Sequence, residues 1–313
     1  MIQKLEHIDC EITKACNMFC IHCSAEAGQG NSPDVKFIRK SLADASILGL
    51  KRVGITGGEP FMFPQELSDI IDVSYGIRCP VHIHTNGSLL WENFSLLSER
   101  RKKIENLTLT LLGHEESHDK NCGLDGAYQN LKNVLMPLMN LGIPLTFFLI
   151  PMSNNYLGMP EAVKEFYKLG ARRFRVMNLS PGGRARSKYE ELKLDYKQAR
   201  EFISEIESLR DELGVNFKAG HCTRLAYPML LPLEKHVDCM SGVNRLHINA
   251  DGYVFPCTAS SGFIELSLGN LYEQSLEEIW INSEKLNKFR ELPKESCRVQ
   301  KHYRKSILGK NKL

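Results

Sequence analysis

Three cysteines, Cys16, Cys20 and Cys23, fall inside the eight residues CNMFCIHC. Thiolates this close together bind soft or borderline metals. A structural zinc site takes four protein ligands, commonly as two C-x2-C pairs. The spacing here is C-x3-C-x2-C, three ligands in one loop. Three thiolates on a 4Fe–4S cube leave one iron without a protein ligand, which is a place for a small molecule to coordinate. His22 stands between the last two cysteines and is an alternative fourth ligand, and a zinc-binding structural loop is the bland reading beside it. Cys10 lies upstream in the first expected strand and reads as a buried structural thiol.

The elements that must position this loop follow a regular alternation. Short β-rich runs alternate with helical patterns, which predicts an α/β fold with a parallel sheet. Strands are expected at 7–13, 52–56, 81–86, 106–112, 144–150 and 173–178. Helices are expected at 34–48, 65–75, around 89–99, near 127–140, and from Pro160 to about Gly170. Six βα units in about 175 residues suit a partial (β/α)6 TIM-like barrel, since eight units need roughly 250.

After "SPGGRARSK" (180–188) the texture changes. A charged helix is expected over 195–213, then a cysteine-bearing stretch over 220–257. "LHINADGYVFPC" reads as a hairpin turning at Asp251-Gly252. Ser275 and Glu278 form a capping-box pattern opening a helix that runs to about Arg290. Tyr253, Tyr272 and Trp280 are expected to pack this region's core. The division predicted is 1–190 for the barrel and 191–313 for a helical connector with a small α+β domain.

Hydrophobic residues make up 42% and charged residues 25%, ordinary globular values. A net charge of +3 gives no footprint for nucleic acid. No apolar run approaches the ~18 residues of a membrane span, and no signal peptide opens the chain, so a cytoplasmic protein is expected. Ten cysteines in a reducing compartment point to metal or redox use. From Arg298 onward the charges are all basic, which reads as a solvated tail or a docking segment for an acidic partner.

Cys16-x3-Cys20-x-His22-Cys23 after the first strand, with "GITGGEP" (54–60) on the second, resembles the radical S-adenosylmethionine (SAM) superfamily. The resemblance implies a 4Fe–4S cluster on Cys16, Cys20 and Cys23, with SAM chelating the open iron through its amine and carboxylate. His22, Gly57, Gly58, Glu59, Pro60, Thr85, Asn86 and Thr110 are the implied SAM-contacting residues. The two glycines permit close backbone approach and Glu59 supplies an acceptor. These positions sit at the C-terminal ends of strands, where such folds place ligands. Thr85-Asn86-Gly87 also reads as an ordinary strand-end turn. The implied chemistry is reductive cleavage of SAM to a 5′-deoxyadenosyl radical that removes hydrogen from a substrate, with electrons from a reductant such as flavodoxin or ferredoxin.

"CMSGVNRLHINADGYVFPC" (239–257) and "LSLGNLYEQSLEEIW" (266–280) resemble the SPASM extension, and His118-Asp119, 126–145 and Gly183 to Ala185 resemble the same subfamily's barrel. This implies one auxiliary 4Fe–4S cluster on Cys222, Cys239, Cys257 and Cys297. The chain departs from the pattern at Gln300, where the next cysteine is expected, so a shortened, twitch-like extension is anticipated. Leu112 and Cys122 stand where a carboxylate and an arginine are usual; Thr110 keeps a hydroxyl. Cys122 is read as a stray loop thiol, and His114, Glu115, Glu116 and His118 as a solvated loop, with substrate or SAM contact as the alternative. The expected substrate is a ribosomally made peptide that gains a thioether or carbon–carbon crosslink or an oxidised side chain. With no peptide-binding domain expected ahead of the barrel, a leader peptide would need another docking surface or a separate partner. The alternatives are a small-molecule or haem-pathway dehydrogenase, or a degenerate, non-catalytic iron–sulfur relative. No residue is assigned as the group that quenches the substrate radical.

Overall fold

Alternation fixes the two faces of the first strand. In β1 (His7–Thr13), Ile8, Cys10 and Ile12 join the main apolar core, leaving His7, Asp9 and Glu11 for the opposite face. The same split recurs in β2 (Arg52–Gly57), β3 (Val81–Thr85), β4 (Ile104–Leu111), β5 (Leu145–Leu149) and β6 (Arg173–Val176). The computed structural model describes residues 3–219, 238–295 and 297–299.

The helices cover the apolar face. In α1 (Val35–Ile47), Ile38, Ser41, Leu42 and Ala45 are buried at helical spacing, and Asp34 caps the N-terminus by accepting from the Phe37 N–H. α2 (Pro64–Gly76) follows β2. The helix expected around 89–99 starts later, as α3 (Phe94–Arg100). The Asn93 amide donates to the Leu89 and Phe61 carbonyls and holds the preceding residues in turns. α4 (Glu116–Cys122), absent from the expected list, precedes α5 (Ala127–Asn140) and α6 (Met159–Lys168). A one-turn α7 (Tyr189–Leu192) leads to α8 (Tyr196–Leu213), which carries a full Asp195–Gln198 capping box.

β1 to β6 run parallel in chain order, and β7 (Asn216–Ala219) adds a further parallel strand beside β6. The stretch after residue 238 returns to the other edge. β8 (Arg245–Ile248) pairs parallel with β1, with Cys10 opposite Ile248. β9 (Tyr253–Phe255) and β10 (Gly269–Asn270) add antiparallel strands, so a ten-stranded sheet runs β10-β9-β8-β1-β2-β3-β4-β5-β6-β7. Asp251-Gly252 makes the β8–β9 turn as expected, with Gly252 at φ +81°. The expected last helix divides at Ser283 into α9 (Leu276–Asn282), opened by the Ser275–Glu278 box, and α10 (Glu284–Arg290), capped by Ser283.

Trp280 is fully buried and its indole N–H donates to the Gln3 carbonyl at 2.6 Å, tying α9 to the segment before β1. Tyr272 is 60% exposed and stacks on Phe37 instead of entering the core, because its ring lies outside the turn after β10. Tyr253 is half-buried. Among the described residues no helix is long and apolar enough to cross a membrane.

Candidate active site

β1 delivers the chain directly into the cysteine loop. The loop is closed at its base: the Cys16 N–H donates to the Gly28 carbonyl and the Gly28 N–H to the Lys14 carbonyl, both at 2.8 Å. Thr13 Oγ1 accepts from the Ala15 N–H and donates to the Asn31 carbonyl. Cys16 and Cys20 pack with Met18, Leu112, Cys122 and Ala127. Cys23 Sγ accepts from the Ala27 N–H at 3.3 Å.

Burial pushes the Cys20 thiol well above the usual range, with Cys23, Cys122 and Cys16 adding to the rise; burial also raises Cys16. These thiols keep their protons until a cation takes their place, and a cationic metal cluster is such a partner. Among the described residues no three His, Cys, Asp or Glu side chains converge on a single metal ion. Three thiols in one short loop are a donor set that an iron–sulfur cluster with one open iron would accept.

The end of β2 is pressed against the start of this loop. The Gly58 N–H donates to the Thr13 carbonyl at 2.7 Å and the Glu59 N–H to the Ala15 carbonyl at 2.8 Å. A Cβ on Gly57 would be driven into the Thr13 carbonyl and one on Gly58 into the Ala15 carbonyl. The glycine pair therefore lets two backbones touch, and Gly57 at φ +120° needs the missing side chain as well.

Glu59 is fully buried. Its Oε1 accepts from the Phe61 N–H and the Thr85 hydroxyl, and its Oε2 from the Asn86 N–H. The carboxylate thus caps the 3-10 turn that starts at Pro60 and holds the end of β3 beside the end of β2. Burial pushes its pKa up to about 7, against the opposing pull of those three bonds. The Asn86 amide N–H group then reaches the cysteine loop, 2.9 Å from Asn17 Oδ1 and 3.8 Å from Cys16 Sγ. Thr110 is half-buried on the sheet face away from the helices, in the same row as Asn106 and Thr108.

At the cysteine loop, His22 Nδ1 and His118 Nε2 are buried without hydrogen-bond partners. The Leu112 N–H donates to His118 Nδ1 at 3.0 Å, which fixes the other nitrogen as a protonated donor. Burial lowers both pKa values to about 4, with His118 and Arg184 adding to the fall at His22. Unpartnered polar atoms beside a three-thiol loop are what a polar ligand would satisfy. His118 is thus no part of a solvated loop: α4 folds under the cysteine loop, accepting the Phe19 N–H at Cys122 and the Ile21 N–H at Asn121. That packing also buries Cys122 against Cys16 and Cys20.

Arg184, inside the stretch from Gly183 to Ala185, has a task that its own neighbourhood in the sequence does not announce. The guanidinium donates to the carbonyls of Cys20 and Ala27 at 2.9 and 2.8 Å and lies over the Phe19 ring. Only a conformational signal, the Gly-Gly pair before it, marks that position in the sequence.

Cys257, just after β9, lies within electrostatic reach of Cys239 and Cys297. Cys239 and Cys297 are buried, and burial pushes Cys257 up to about 11, with Cys297 and Cys239 contributing. Phe255, Phe263, Leu266, Phe289 and Val299 form an apolar cluster with Cys297, and Cys257 packs against it. Cys222 lies outside the described residues. A buried linkage runs from here back to β1: His247 holds Glu11 at 3.0 Å through Nε2 and meets Thr258 Oγ1 at 3.3 Å through Nδ1.

Comparison with known proteins agrees with this arrangement. The family model described as the radical SAM superfamily matches residues 10–169, and the one described as an iron–sulfur cluster-binding domain, SPASM, matches 239–301. The chain is 26% identical over 309 residues to an AdoMet-dependent heme synthase of Methanosarcina barkeri, covering 90% of this chain and 83% of that protein. It is also 26% identical over 310 residues to a PqqA peptide cyclase of Ruegeria pomeroyi, covering 92% and 77%. The crystal structure of Streptococcus suis SuiB bound to precursor peptide SuiA shares the fold with a TM-score of 0.76 at 19% identity, over 93% of this chain and 68% of that one. The first match spans half of the sequence and contains the cysteine loop, the glycine pair and the β3 turn, so the chain belongs to the radical SAM superfamily, an enzyme family that works with a 4Fe–4S cluster and SAM, and its C-terminal part is a SPASM iron–sulfur domain.

Proposed function

We propose that this enzyme cleaves SAM reductively and uses the resulting radical to remove hydrogen from a ribosomally made peptide. The observation that carries the first half is the contact of three strand ends on one thiol loop: Gly58 and Glu59 on Thr13 and Ala15, and Asn86 on Cys16. In this reading Cys16, Cys20 and Cys23 hold the cluster. The cluster, when bound, supplies the one electron that breaks the carbon–sulfur bond of SAM and leaves a 5′-deoxyadenosyl radical. The protein's share is positional. The apolar patch around Met18 and Leu112 excludes water, Glu59 locks the turn that presents Thr85 and Asn86, and His22 and His118 offer one ring nitrogen each to a polar ligand, that of His118 as a donor. Gly57, Pro60 and Thr110 complete the rim.

Residues 191–313 form the auxiliary part in this reading, with Cys239, Cys257, Cys297 and Cys222 as ligands of one further cluster. A cytoplasmic reductant of the flavodoxin or ferredoxin type supplies electrons. The peptide class is supported by relatives named as peptide cyclases and by the SuiB complex. The equally similar heme synthases favour a second reading, a small tetrapyrrole-type substrate.

The test is anaerobic reconstitution of wild type and a Cys16/Cys20/Cys23→Ala variant, with iron, sulfide and 5′-deoxyadenosine measured after reduction with SAM. The expected result is about eight irons falling to about four, with deoxyadenosine lost in the variant. Deoxyadenosine unchanged in the variant would remove the assignment. Added candidate peptides or tetrapyrroles then separate the two substrate readings by which one raises deoxyadenosine yield.

A further inference from the structure

One side chain from far along the chain grips the outer side of the cysteine loop. Arg184 donates from Nε to the Cys20 carbonyl at 2.9 Å and from Nη2 to the Ala27 carbonyl at 2.8 Å. Its guanidinium carbon lies 3.7 Å from the centroid of Phe19, and its backbone N–H donates to the Cys23 carbonyl at 2.9 Å. These contacts touch the loop on both sides of its last two cysteines. The approach is built into the backbone. Gly183 has φ +55°, and a Cβ there would collide with the Cys23 and Ser24 carbonyls. Gly262, five residues after Cys257, packs on Gly182 and Gly183 beside the same Ser24 carbonyl.

Two features set this apart from ordinary loop packing. A guanidinium presents its donors in a rigid fork, so the two carbonyls are held at a fixed separation. And among the described residues the contacts just given are two carbonyls and one ring, with no carboxylate, so a whole positive charge rests half-buried beside the three thiols. Reduction potentials of iron–sulfur clusters follow their net charge and surroundings, and a nearby cation favours the form that has gained an electron.

We propose that Arg184 is a positioning residue that fixes the geometry of the Cys16–Cys20–Cys23 loop and raises the reduction potential of the cluster held there. The proposal rests on the reading that these cysteines hold a cluster. Its test uses the full chain as wild type, Arg184→Lys and Arg184→Met. The first readout is hydrogen exchange of the apo-protein, which needs no cluster. Both variants should exchange the Cys16, Cys23 and Gly28 amides faster than wild type, with β4 amides unchanged, because neither keeps the fork. The second is the midpoint potential of the reconstituted cluster, followed by EPR. Arg184→Met should lower the reduction equilibrium about tenfold, which is ~59 mV for one electron. Arg184→Lys should keep the wild-type potential because it keeps the charge. Unchanged exchange in both variants overturns the positioning role. An unshifted potential in Arg184→Met with full iron content overturns the electrostatic role. If Arg184→Met takes up no iron, the exchange data and the lysine variant decide: a lysine variant with a shifted potential refutes the charge argument. Failure of the cluster reading itself shows separately, as an iron content in the Cys16/Cys20/Cys23→Ala protein that does not fall below that of wild type.

Discussion

Glu59 offers a pH test in which two physical effects oppose one another. The side chain is fully buried, and burial raises its pKa from the ordinary 4.5 to about 7. Three hydrogen bonds from Phe61, Thr85 and Asn86 pull the other way. With burial dominant, the folded chain holds this proton between pH 4.5 and about 7 while the unfolded chain releases it. The folded state then binds more protons across that window, so this group's stabilisation is whole below 4.5 and is lost as pH rises through 7. At about 1.4 kcal/mol per pH unit the loss amounts to about 3 kcal/mol. Glu59→Gln removes the titration but leaves one acceptor fewer, at a cost of about 1–3 kcal/mol. The assay is urea unfolding of the anaerobic apo-protein at several pH values from 4.5 to 8. Wild type should lose about 3 kcal/mol relative to Glu59→Gln across that range. A difference that stays flat, or grows with pH, would refute the reasoning and show that the three donors keep the carboxylate ionised.

Other expectations concern packing and the second set of cysteines. Gly58→Ala should cost about 1–3 kcal/mol and depress iron content, because the new methyl meets the Ala15 backbone carbonyl, and iron assay with thermal unfolding of the apo-protein checks both. Trp280→Ala should destabilise by about 3–5 kcal/mol. Tyr272→Ala, which loses only the stack on Phe37, should cost about 1 kcal/mol, and denaturant midpoints of the two variants should differ accordingly. Cys257→Ala should lower iron by about four per chain while leaving 5′-deoxyadenosine formation measurable; unchanged iron would mean the C-terminal thiols hold nothing.

The parts of this architecture that were legible in the sequence are those written locally. Short β-rich runs placed β1 to β6, and Ser275 with Glu278 announced a helix start through a capping box. The thiol loop and the glycine pair were legible because metal binding and backbone contact each demand particular residue types at fixed spacing. What stayed hidden depends on partners far away in the chain. Nothing near 245–248 says that β8 lies beside β1, and Arg184 acquires its task only from carbonyls at Cys20 and Ala27. His118 read as solvated because its neighbours Glu115 and Glu116 are polar; the Leu112 N–H that claims it becomes visible only when α4 folds back. Tyr272 misled for the opposite reason, since an aromatic ring satisfied by one stacking partner at the surface has the same letter as one in a core.

The pairing of β8 with β1 has a consequence for biosynthesis. β1 leads straight into the thiol loop, yet one of its two edges is completed only by a strand about 240 residues later in translation. While the first half of the chain leaves the ribosome, that edge presents unpaired backbone groups and Glu11 has no His247 to meet. Contacts this distant in sequence close late, because the intervening chain must first give up its freedom. The strand that carries the thiol loop therefore gains its last neighbour near the end of synthesis, and until the C-terminal segment arrives its open edge depends on protection from strand-to-strand association.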